Sequence, residues 1–264
     1  MINLNKIRQN GKFLFLAYDQ GLEHGPRDFN LKNYDPNYIL DIALESRYTG
    51  VILGHGLAEK YYQDFYKDIP LIIKLNGKTS LPKIQPISRQ LCSVERAIKL
   101  GASAVGYTVY DGSPKEPEIF SEFGKIVETA HDYGLPVIAW MYPRGDDIKD
   151  DMATDLLAYS ARIGLELGAD VIKIKYNRDM EGFKWVVKNA GRAKIVLSGG
   201  DKLSGKEFLK VVQEVLDCGG SGVAVGRNIW QSDKPFALSR ALRRVVVEGK
   251  KPEEVFDLLD SGQK

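Results

Sequence analysis

Apolar residues along the chain fall into eight short runs, separated by longer stretches in which apolar residues recur at helical spacing. Most runs are rich in β-branched residues. Near-continuous apolarity of this kind is typical of strands covered on both faces, as in a parallel sheet. The pattern predicts eight strands at residues 13–18, 50–53, 70–75, 103–108, 136–142, 170–176, 194–197 and 222–225.

The stretches between the runs predict amphipathic helices. Several of them end at or just before a glycine, which is the residue that most readily adopts the left-handed conformation at a helix C-terminus. The predicted helices span residues 36–48, 93–101, 117–133, 153–167, 204–216 and 232–247, with a short terminal helix at 252–259.

Strands that alternate with helices in this way predict an α/β fold, a closed (β/α)8 or TIM barrel with a short C-terminal helix. The length of 264 residues agrees with this architecture, since such barrels typically have ~250 residues. A doubly wound open sheet is the competing architecture, but its usual glycine fingerprint after the first strand is absent. No linker or shift in composition divides the chain, so we expect one (β/α)8-barrel domain over residues 1–264.

Composition narrows the possible partners. Lys and Arg total 37 against 35 acidic residues, a balance that gives no support to a broad nucleic-acid or membrane surface. Cys92 and Cys218 lie outside any CxxC pair, which favours buried free thiols in a reducing compartment. No apolar run approaches the ~20 residues of a membrane helix, and the run after the N-terminus is too short for a signal peptide. We therefore expect a cytoplasmic protein.

Two lysines on the sixth predicted strand are candidates for chemistry. Side chains alternate between the faces of a strand, so Lys173 and Lys175 share one face, while the aliphatic neighbours Ile172 and Ile174 should face the outer helices. Both lysines should therefore point into the barrel. Lys175, nearer the mouth, could equally reach solvent or pair with a carboxylate. Lys173 lies deeper, where desolvation and a second ammonium favour a neutral amine that can attack a carbonyl and form a Schiff base.

The fifth predicted strand ends with polar and aromatic groups. Trp140 and Tyr142 share the face that should line the barrel interior, where a phenol can relay a proton. Arg144 follows them and can meet a phosphate or carboxylate. An aromatic core layer with a solvated arginine explains the same residues equally well.

Glycine-containing loops follow the seventh and eighth predicted strands. They contain Ser198-Gly199-Gly200 and Gly226-Arg227. Glycines allow backbone N–H groups to close on a phosphate, and barrel phosphate sites often lie between these two loops. The two loops together therefore predict a phosphate site.

Asp19 and His24 follow the first predicted strand. Asp19 suits acid/base work or the positioning of a lysine, and His24 suits a substrate hydroxyl or phosphate. Either could instead cap the following turn. The chain has 3 histidines, of which His131 belongs to a helix, so His24 and His55 make a poor zinc set. We expect no metal and no cofactor.

At these residues the chain resembles the archaeal-type class I fructose-1,6-bisphosphate aldolases of the DeoC/FbaB-like family. The resemblance extends in order through nearly the whole chain. It is carried by the stretches Asp19-Gln20-Gly21-Leu22-Glu23-His24-Gly25-Pro26, Lys74-Leu75-Asn76-Gly77-Lys78-Thr79, Gly101-Ala102-Ser103-Ala104-Val105-Gly106-Tyr107, Trp140-Met141-Tyr142-Pro143-Arg144-Gly145, Lys173-Ile174-Lys175-Tyr176, Ser198-Gly199-Gly200 and Val225-Gly226-Arg227-Asn228.

The resemblance implies a lyase that cleaves fructose 1,6-bisphosphate through a Schiff base on Lys173. It implies Tyr142 as the proton donor and acceptor, with Asp19 close to the reacting carbons. The resemblance also implies three groups of substrate-binding residues. One phosphate is held by Ser198, Gly199, Gly200, Gly226 and Arg227. The hydroxyls or the second phosphate are held by His24, Asp28 and Arg144, and Trp140 and Lys175 flank the lysine.

Two further points come from the resemblance. Relatives often have histidine where this chain has Gln20, and an amide cannot titrate, so a proton role at that position is in doubt. The family also implies a sugar-phosphate substrate and a homo-oligomer, commonly a decamer.

Three other functions compete with this interpretation. A sister lysine aldolase or transaldolase for aromatic amino-acid precursors would use the same lysine. A coenzyme A thiolase of the same barrel family would transfer an acyl group instead. A non-catalytic sugar-phosphate sensor would explain the glycine loops, but not a buried lysine that faces a tyrosine and an aspartate.

Overall fold

Eight parallel strands close into a barrel in this computed structural model, which describes residues 2–200 and 202–260. The ends of the predicted domain, Met1 and residues 261–264, lie outside the described residues. The strands are β1 (Phe13–Ala17), β2 (Gly50–Gly54), β3 (Leu71–Lys74), β4 (Ala102–Val109), β5 (Val137–Met141), β6 (Val171–Ile174), β7 (Lys194–Ser198) and β8 (Gly222–Val225).

The predicted barrel is confirmed. Each strand pairs with its neighbours in sequence, and β1 pairs in parallel with β8, with Phe13 opposite Gly222 and Leu16 opposite Val225. That last pairing closes the sheet and rules out the doubly wound alternative. All eight apolar runs form strands, each within a few residues of its predicted bounds.

Helices follow the strands and cover the outside of the barrel. They are α1 (Gly21–His24), α2 (Pro36–Glu45), α3 (His55–Tyr61), α4 (Val94–Lys99), α5 (Glu116–Asp132), α6 (Thr154–Glu166), α7 (Met180–Asn189), α8 (Gly205–Asp217), α9 (Arg227–Trp230), α10 (Pro235–Val246) and α11 (Phe256–Asp260). Short 3-10 helices span Leu4–Ile7, Gly25–Asp28, Gln63–Phe65 and Pro252–Val255.

The helix predictions agree with the structure except at a few elements. Helices α3 and α7 were not predicted, nor were the four-residue helices α1 and α9. The predicted terminal helix is a 3-10 turn at Pro252–Val255 that continues as α11. The sequence does contain a signal for α7, since aspartate is a favoured N-cap residue. In the structure, the Asp179 side chain caps the helix by accepting from the Gly182 N–H.

Alternation along the strands separates two apolar layers. One face of the strands packs on the helices in a large buried cluster. The other fills the barrel interior, where the buried residues are Ile7, Phe13, Phe15, Ala17, Ile52, Ile72, Ala104, Ile138, Trp140, Val171, Val196 and Ala224. The interior below the mouth is therefore a packed core, and a cavity opens above it, near the carboxyl ends of the strands.

A small antiparallel ladder beside the barrel mouth shapes the loop after β3. It pairs Asn76–Gly77 with Arg89–Gln90. The buried Asn76 side chain donates to the Ser88 and Thr108 carbonyls and accepts from the Thr108 N–H, which ties this loop to β4.

Two predictions from composition are settled in part. Cys92 and Cys218 are both free and buried. Among residues 2–200 and 202–260, no helix has the length and apolarity needed to cross a bilayer.

Candidate active site

A cavity of about 300 Å³ lies at the carboxyl ends of the barrel strands. It is lined by every predicted site residue except Asp28. The lining residues of the strands are those that alternation turns inward, such as Trp140 and Lys173. Residues that sequence reasoning did not assign complete the lining: Ala17, Gln20, Glu23, Lys74, Thr108, Tyr110, Ala224 and Asn228.

A second cavity of about 560 Å³ adjoins the first on the side of β1 to β3. Its lining is largely apolar, and it shares Asp19, Glu23 and Lys74 with the smaller cavity. Its lining includes neither Lys173 nor the two glycine loops. We therefore assign the chemistry to the smaller cavity.

Lys173 lies on the inner face of β6 and is 6% exposed. The strand register places it between Trp140 on β5 and Val196 on β7. Its Nζ is 5.3 Å from the centroid of the Trp140 ring. A primary amine is thus held in a largely desolvated setting at the floor of the cavity, where it can meet a carbonyl carbon.

Asp19 is ion-paired to a third inward lysine that sequence reasoning missed. The Lys74 Nζ is 3.2 Å from the Asp19 Oδ2, and the two side chains are 12% and 8% exposed. Burial raises the pKa of Asp19, but the ammonium groups of Lys74 and Lys173 outweigh it, and the pKa lies below its ordinary value. The carboxylate is therefore held ionised beside the candidate nucleophile.

The alternation of side chains along a strand, which identifies Lys173 on the sixth strand, also identifies Lys74. Alternation turns Leu75 outward to the helices and places Lys74 on the inner face of β3, which it shares with Ile72. The charge of Lys74 at the end of a buried strand was the available signal.

Lys175 has a different environment from Lys173. Its Nζ is 2.5 Å from the Asp151 Oδ2, in the loop between β5 and α6, and the side chain is 28% exposed. Of the two explanations left open by the sequence, pairing with a carboxylate is the one that the structure shows. Much of its charge is compensated by Asp151.

Tyr142 and Arg144 extend from β5 toward the mouth. The Tyr142 hydroxyl forms a 3.0 Å hydrogen bond with the Ser198 hydroxyl at the end of β7. Arg144 lies over the Tyr110 and Tyr142 rings, at 5.3 Å and 6.0 Å from their centroids, and its Nη1 is 3.8 Å from a Glu23 oxygen. The aromatic groups thus hold a half-exposed guanidinium at the rim.

The two glycine loops meet at the ends of β7 and β8. The Asn228 side chain donates to the Gly199 carbonyl and accepts from the Leu203 N–H. Gly226 has no room for a side chain, because a Cβ there would lie 2.5 Å from the Ala17 carbonyl oxygen. Gly200 adopts a φ of +60°, a conformation that glycine adopts readily. The backbone of both loops and Arg227 consequently line the cavity together.

His24 and Asp28 form a pair near the phosphate loops. The His24 Nδ1 is 2.6 Å from the Asp28 Oδ2, and Arg227 approaches the same oxygen at 4.0 Å. His24 lines the cavity and Asp28 does not. Asp28 therefore contacts both His24 and Arg227 from outside the cavity lining, and its predicted role in substrate binding stays a prediction.

No cluster of metal-ligating side chains is present in the part of the chain that the structure describes. His131, assigned to a helix from the sequence, lies at the end of α5 and pairs with Asp170 at 3.0 Å, away from the cavity.

Comparison with known proteins shows which family this chain resembles in sequence. Residues 13–232 match the model of the DeoC/LacD family aldolases. A class 1 fructose-bisphosphate aldolase of Thermoproteus tenax is 48% identical over 254 residues, which cover 95% of each chain. Another, of Halobacterium salinarum, is 43% identical over 92% of this chain and 93% of its own length.

A solved structure supports the same relationship. It is an archaeal fructose-1,6-bisphosphate aldolase whose catalytic lysine is covalently bound to the carbinolamine intermediate of its substrate. The two chains are 46% identical and superpose with a TM-score of 0.89 over 92% of this chain and 97% of the other.

Proposed function

The chain belongs to the DeoC/LacD aldolase family, and from that premise we propose that it is a class I, Schiff-base fructose-1,6-bisphosphate aldolase. It is a lyase that reversibly cleaves fructose 1,6-bisphosphate to dihydroxyacetone phosphate and glyceraldehyde 3-phosphate, a reaction of glycolysis and gluconeogenesis. The observation that carries the proposal is the buried amine of Lys173, held beside the ionised Asp19 and facing two phosphate-type loops.

Lys173 opens the reaction in this proposal. Its neutral Nζ attacks the C2 carbonyl of the open-chain ketose to give a carbinolamine, and loss of water leaves a protonated imine. The iminium accepts the electron pair of the C3–C4 bond as that bond breaks, and the nitrogen-bearing fragment becomes an enamine. The low exposure of Lys173 keeps bulk water away from the amine and from the imine that it forms.

Tyr142 accepts the proton of the C4 hydroxyl as glyceraldehyde 3-phosphate forms. Its hydrogen bond with Ser198 fixes the phenol at the mouth of the cavity. The enamine then takes a proton at C3, and water hydrolyses the imine to release dihydroxyacetone phosphate. The Asp19 carboxylate, ionised near Lys173, stabilises the positive charge of the iminium.

Two different sets of residues bind the two phosphates in this proposal. Backbone N–H groups of the loops at Ser198, Gly199, Gly200 and Gly226, with the Arg227 side chain, bind the phosphate of the fragment attached to lysine. Arg144 and His24 bind the second phosphate or nearby hydroxyls. Asp28 holds His24 in place.

The predicted assembly belongs to the same proposal. Several exposed large apolar side chains occupy residues 22–34 and 81–91: Leu22, Leu31, Tyr34, Leu81, Ile84 and Leu91. Large apolar side chains left exposed in two segments of the chain are what a protein interface would cover, and we take them as support for a homo-oligomer. We further propose one barrel domain, a cytoplasmic location compatible with two free thiols, and the decamer that the resemblance implies.

Covalent trapping tests the proposal. Borohydride with dihydroxyacetone phosphate should reduce the imine to a stable secondary amine, and peptide mapping should place the added mass on Lys173. Lys173→Ala should abolish both the adduct and cleavage of fructose 1,6-bisphosphate, whereas Lys175→Ala should still form the adduct. Wild-type turnover by Lys173→Ala, or loss of wild-type activity on treatment with EDTA, would contradict the mechanism.

A further inference from the structure

Three polar atoms in the catalytic cavity are buried without a hydrogen-bond partner among the described residues. They are the Gln20 Nε2, the Thr108 Oγ1 and the Trp140 Nε1, each with less than 1 Å² of exposed surface. They come from three different parts of the barrel mouth: the turn after β1, the inner face of β4 and the inner face of β5. All three residues line the same cavity.

Such orphaned atoms are uncommon in folded proteins, because a buried polar group without a partner costs about 1–3 kcal/mol. In a binding cavity, an ordered water or a ligand atom supplies such a partner. Thr108 and Trp140 are 2% and 1% exposed as whole residues, and they are register partners on adjacent strands. The two residues are therefore neighbours on the inner face of the barrel, where both line the cavity.

Several charged groups of the cavity already have partners. Lys74 pairs with Asp19, Lys175 with Asp151, and Arg144 approaches Glu23. The orphaned groups are all neutral: an amide, a hydroxyl and an indole N–H. Neutral groups of this kind match the neutral oxygens of a sugar chain, whereas phosphates are better matched by guanidinium groups and backbone N–H clusters.

We propose that Gln20 and Thr108 are substrate-binding residues that, together with Trp140, hydrogen-bond the hydroxyl and carbonyl oxygens of the ketose between its two phosphates. The inference rests on the proposed function and adds two residues to its site. It gives Gln20 a binding role as a hydrogen-bond donor and requires no proton transfer from it.

The Gln20 backbone supports this role. Its carbonyl accepts from the Glu23 and His24 N–H groups, which fixes the first turn of α1. The residue follows Asp19 directly in the turn after β1, and both residues line the cavity. A mobile surface glutamine would lack this fixed position.

Near-isosteric variants test the proposal. Thr108→Val removes only the hydroxyl, and Gln20→Met removes the amide while it keeps the length of the side chain. Each should lower kcat/KM for fructose 1,6-bisphosphate about three- to tenfold, the effect of one lost neutral hydrogen bond. The melting temperature should stay the same or rise, because the orphaned group is removed from the free protein.

A substrate with one phosphate separates hydroxyl binding from phosphate binding. The loss should be of similar size with fructose 1-phosphate, which keeps the hydroxyls and lacks the second phosphate. Thr108→Ser should restore most of the activity. Gln63→Met and Thr129→Val, both at positions outside the cavity, should leave kcat/KM unchanged.

Three results would overturn the inference. They are wild-type kcat/KM in both variants, a loss that disappears with fructose 1-phosphate, or a loss that parallels a drop in melting temperature. A wild-type enzyme that neither forms the borohydride adduct nor cleaves the bisphosphate would instead overturn the proposed function.

Discussion

The indole of Trp140 occupies the space that a side chain at position 106 would need. A Cβ atom on Gly106 would lie 1.8 Å and 1.9 Å from two carbons of the six-membered ring. Gly106 faces inward on β4, and Trp140 lies on the neighbouring β5 with its ring 5.3 Å from the Lys173 Nζ. A glycine on one strand thus gives a tryptophan on the next the room to form the wall beside the candidate nucleophile.

Gly106→Ala should therefore destabilise the protein and displace the indole. Overpacking of this kind costs about 1–3 kcal/mol in the free energy of unfolding, which denaturant titration can measure. Because the displaced ring moves relative to Lys173, we also expect a slower rate of borohydride trapping with dihydroxyacetone phosphate.

A second substitution makes the test specific. In the double variant with Trp140→Leu, the cost of Gly106→Ala should largely disappear, because the clashing ring is gone. Gly124→Ala is the matched control, since a Cβ on Gly124 in α5 would meet nothing within 4 Å in the described part of the chain. Additive costs in the double variant would rule out the steric explanation.

Lys74→Met should shift the acid limb of the pH–rate profile upward. Lys74 is the largest favourable influence on ionised Asp19, so its removal raises the pKa of Asp19, and protonation then begins at higher pH. Profiles of kcat/KM for fructose 1,6-bisphosphate measure the shift.

Lys74→Arg is the conservative variant for this test. It retains a positive charge opposite Asp19, so its acid limb should remain near that of the wild type. An acid limb that stays in place in Lys74→Met would mean that the ionisation of Asp19 does not control activity.

Asp111→Asn should change how stability depends on pH. Burial raises the pKa of the Asp111 carboxyl, which is hydrogen-bonded to Ser160 on α6, to about 6. Because the pKa is raised in the folded protein, the carboxyl makes its full contribution to stability at pH values below its ordinary pKa of 3.8. That contribution is lost as the pH rises through about 6. The loss is on the order of 3 kcal/mol.

The asparagine variant is neutral throughout and lacks that loss. The difference in unfolding free energy between the variant and the wild type should move in favour of the variant between pH 4 and pH 7. Urea titrations across this range measure the difference. Parallel curves for the two proteins would show that Asp111 does not titrate in this window.

Arg144→Leu should discriminate between substrates. If the guanidinium binds the second phosphate, its loss raises KM for fructose 1,6-bisphosphate by at least about tenfold, the cost of a charge-assisted contact. The KM for fructose 1-phosphate should change much less. Arg162→Leu, at an exposed position on α6, is the matched control. Equal effects on the two substrates would place Arg144 elsewhere in the reaction.

Much of the site followed from alternation along single strands. It placed Trp140 and Tyr142 on the inner face of β5 and Lys173 on that of β6, and the structure confirms these orientations. The same alternation places Lys74 on the inner face of β3, but the pattern within one strand does not show that its partner is Asp19. Helix α3 was missed because it begins at His55, directly after β2, without the polar loop that would have marked its start.

Strand positions, turn glycines and inward-facing residues were determined by the sequence alone. Each depends on neighbours within a few positions, since side-chain direction repeats every two residues in a strand and a helix end needs one residue of suitable conformation. The choice of partners depended on the tertiary structure. Asp19 pairs with Lys74, Lys175 with Asp151, and Tyr142 with Ser198. These partners are tens of residues apart and meet only because the barrel closes and the loops fold over its mouth, so no local pattern could specify them.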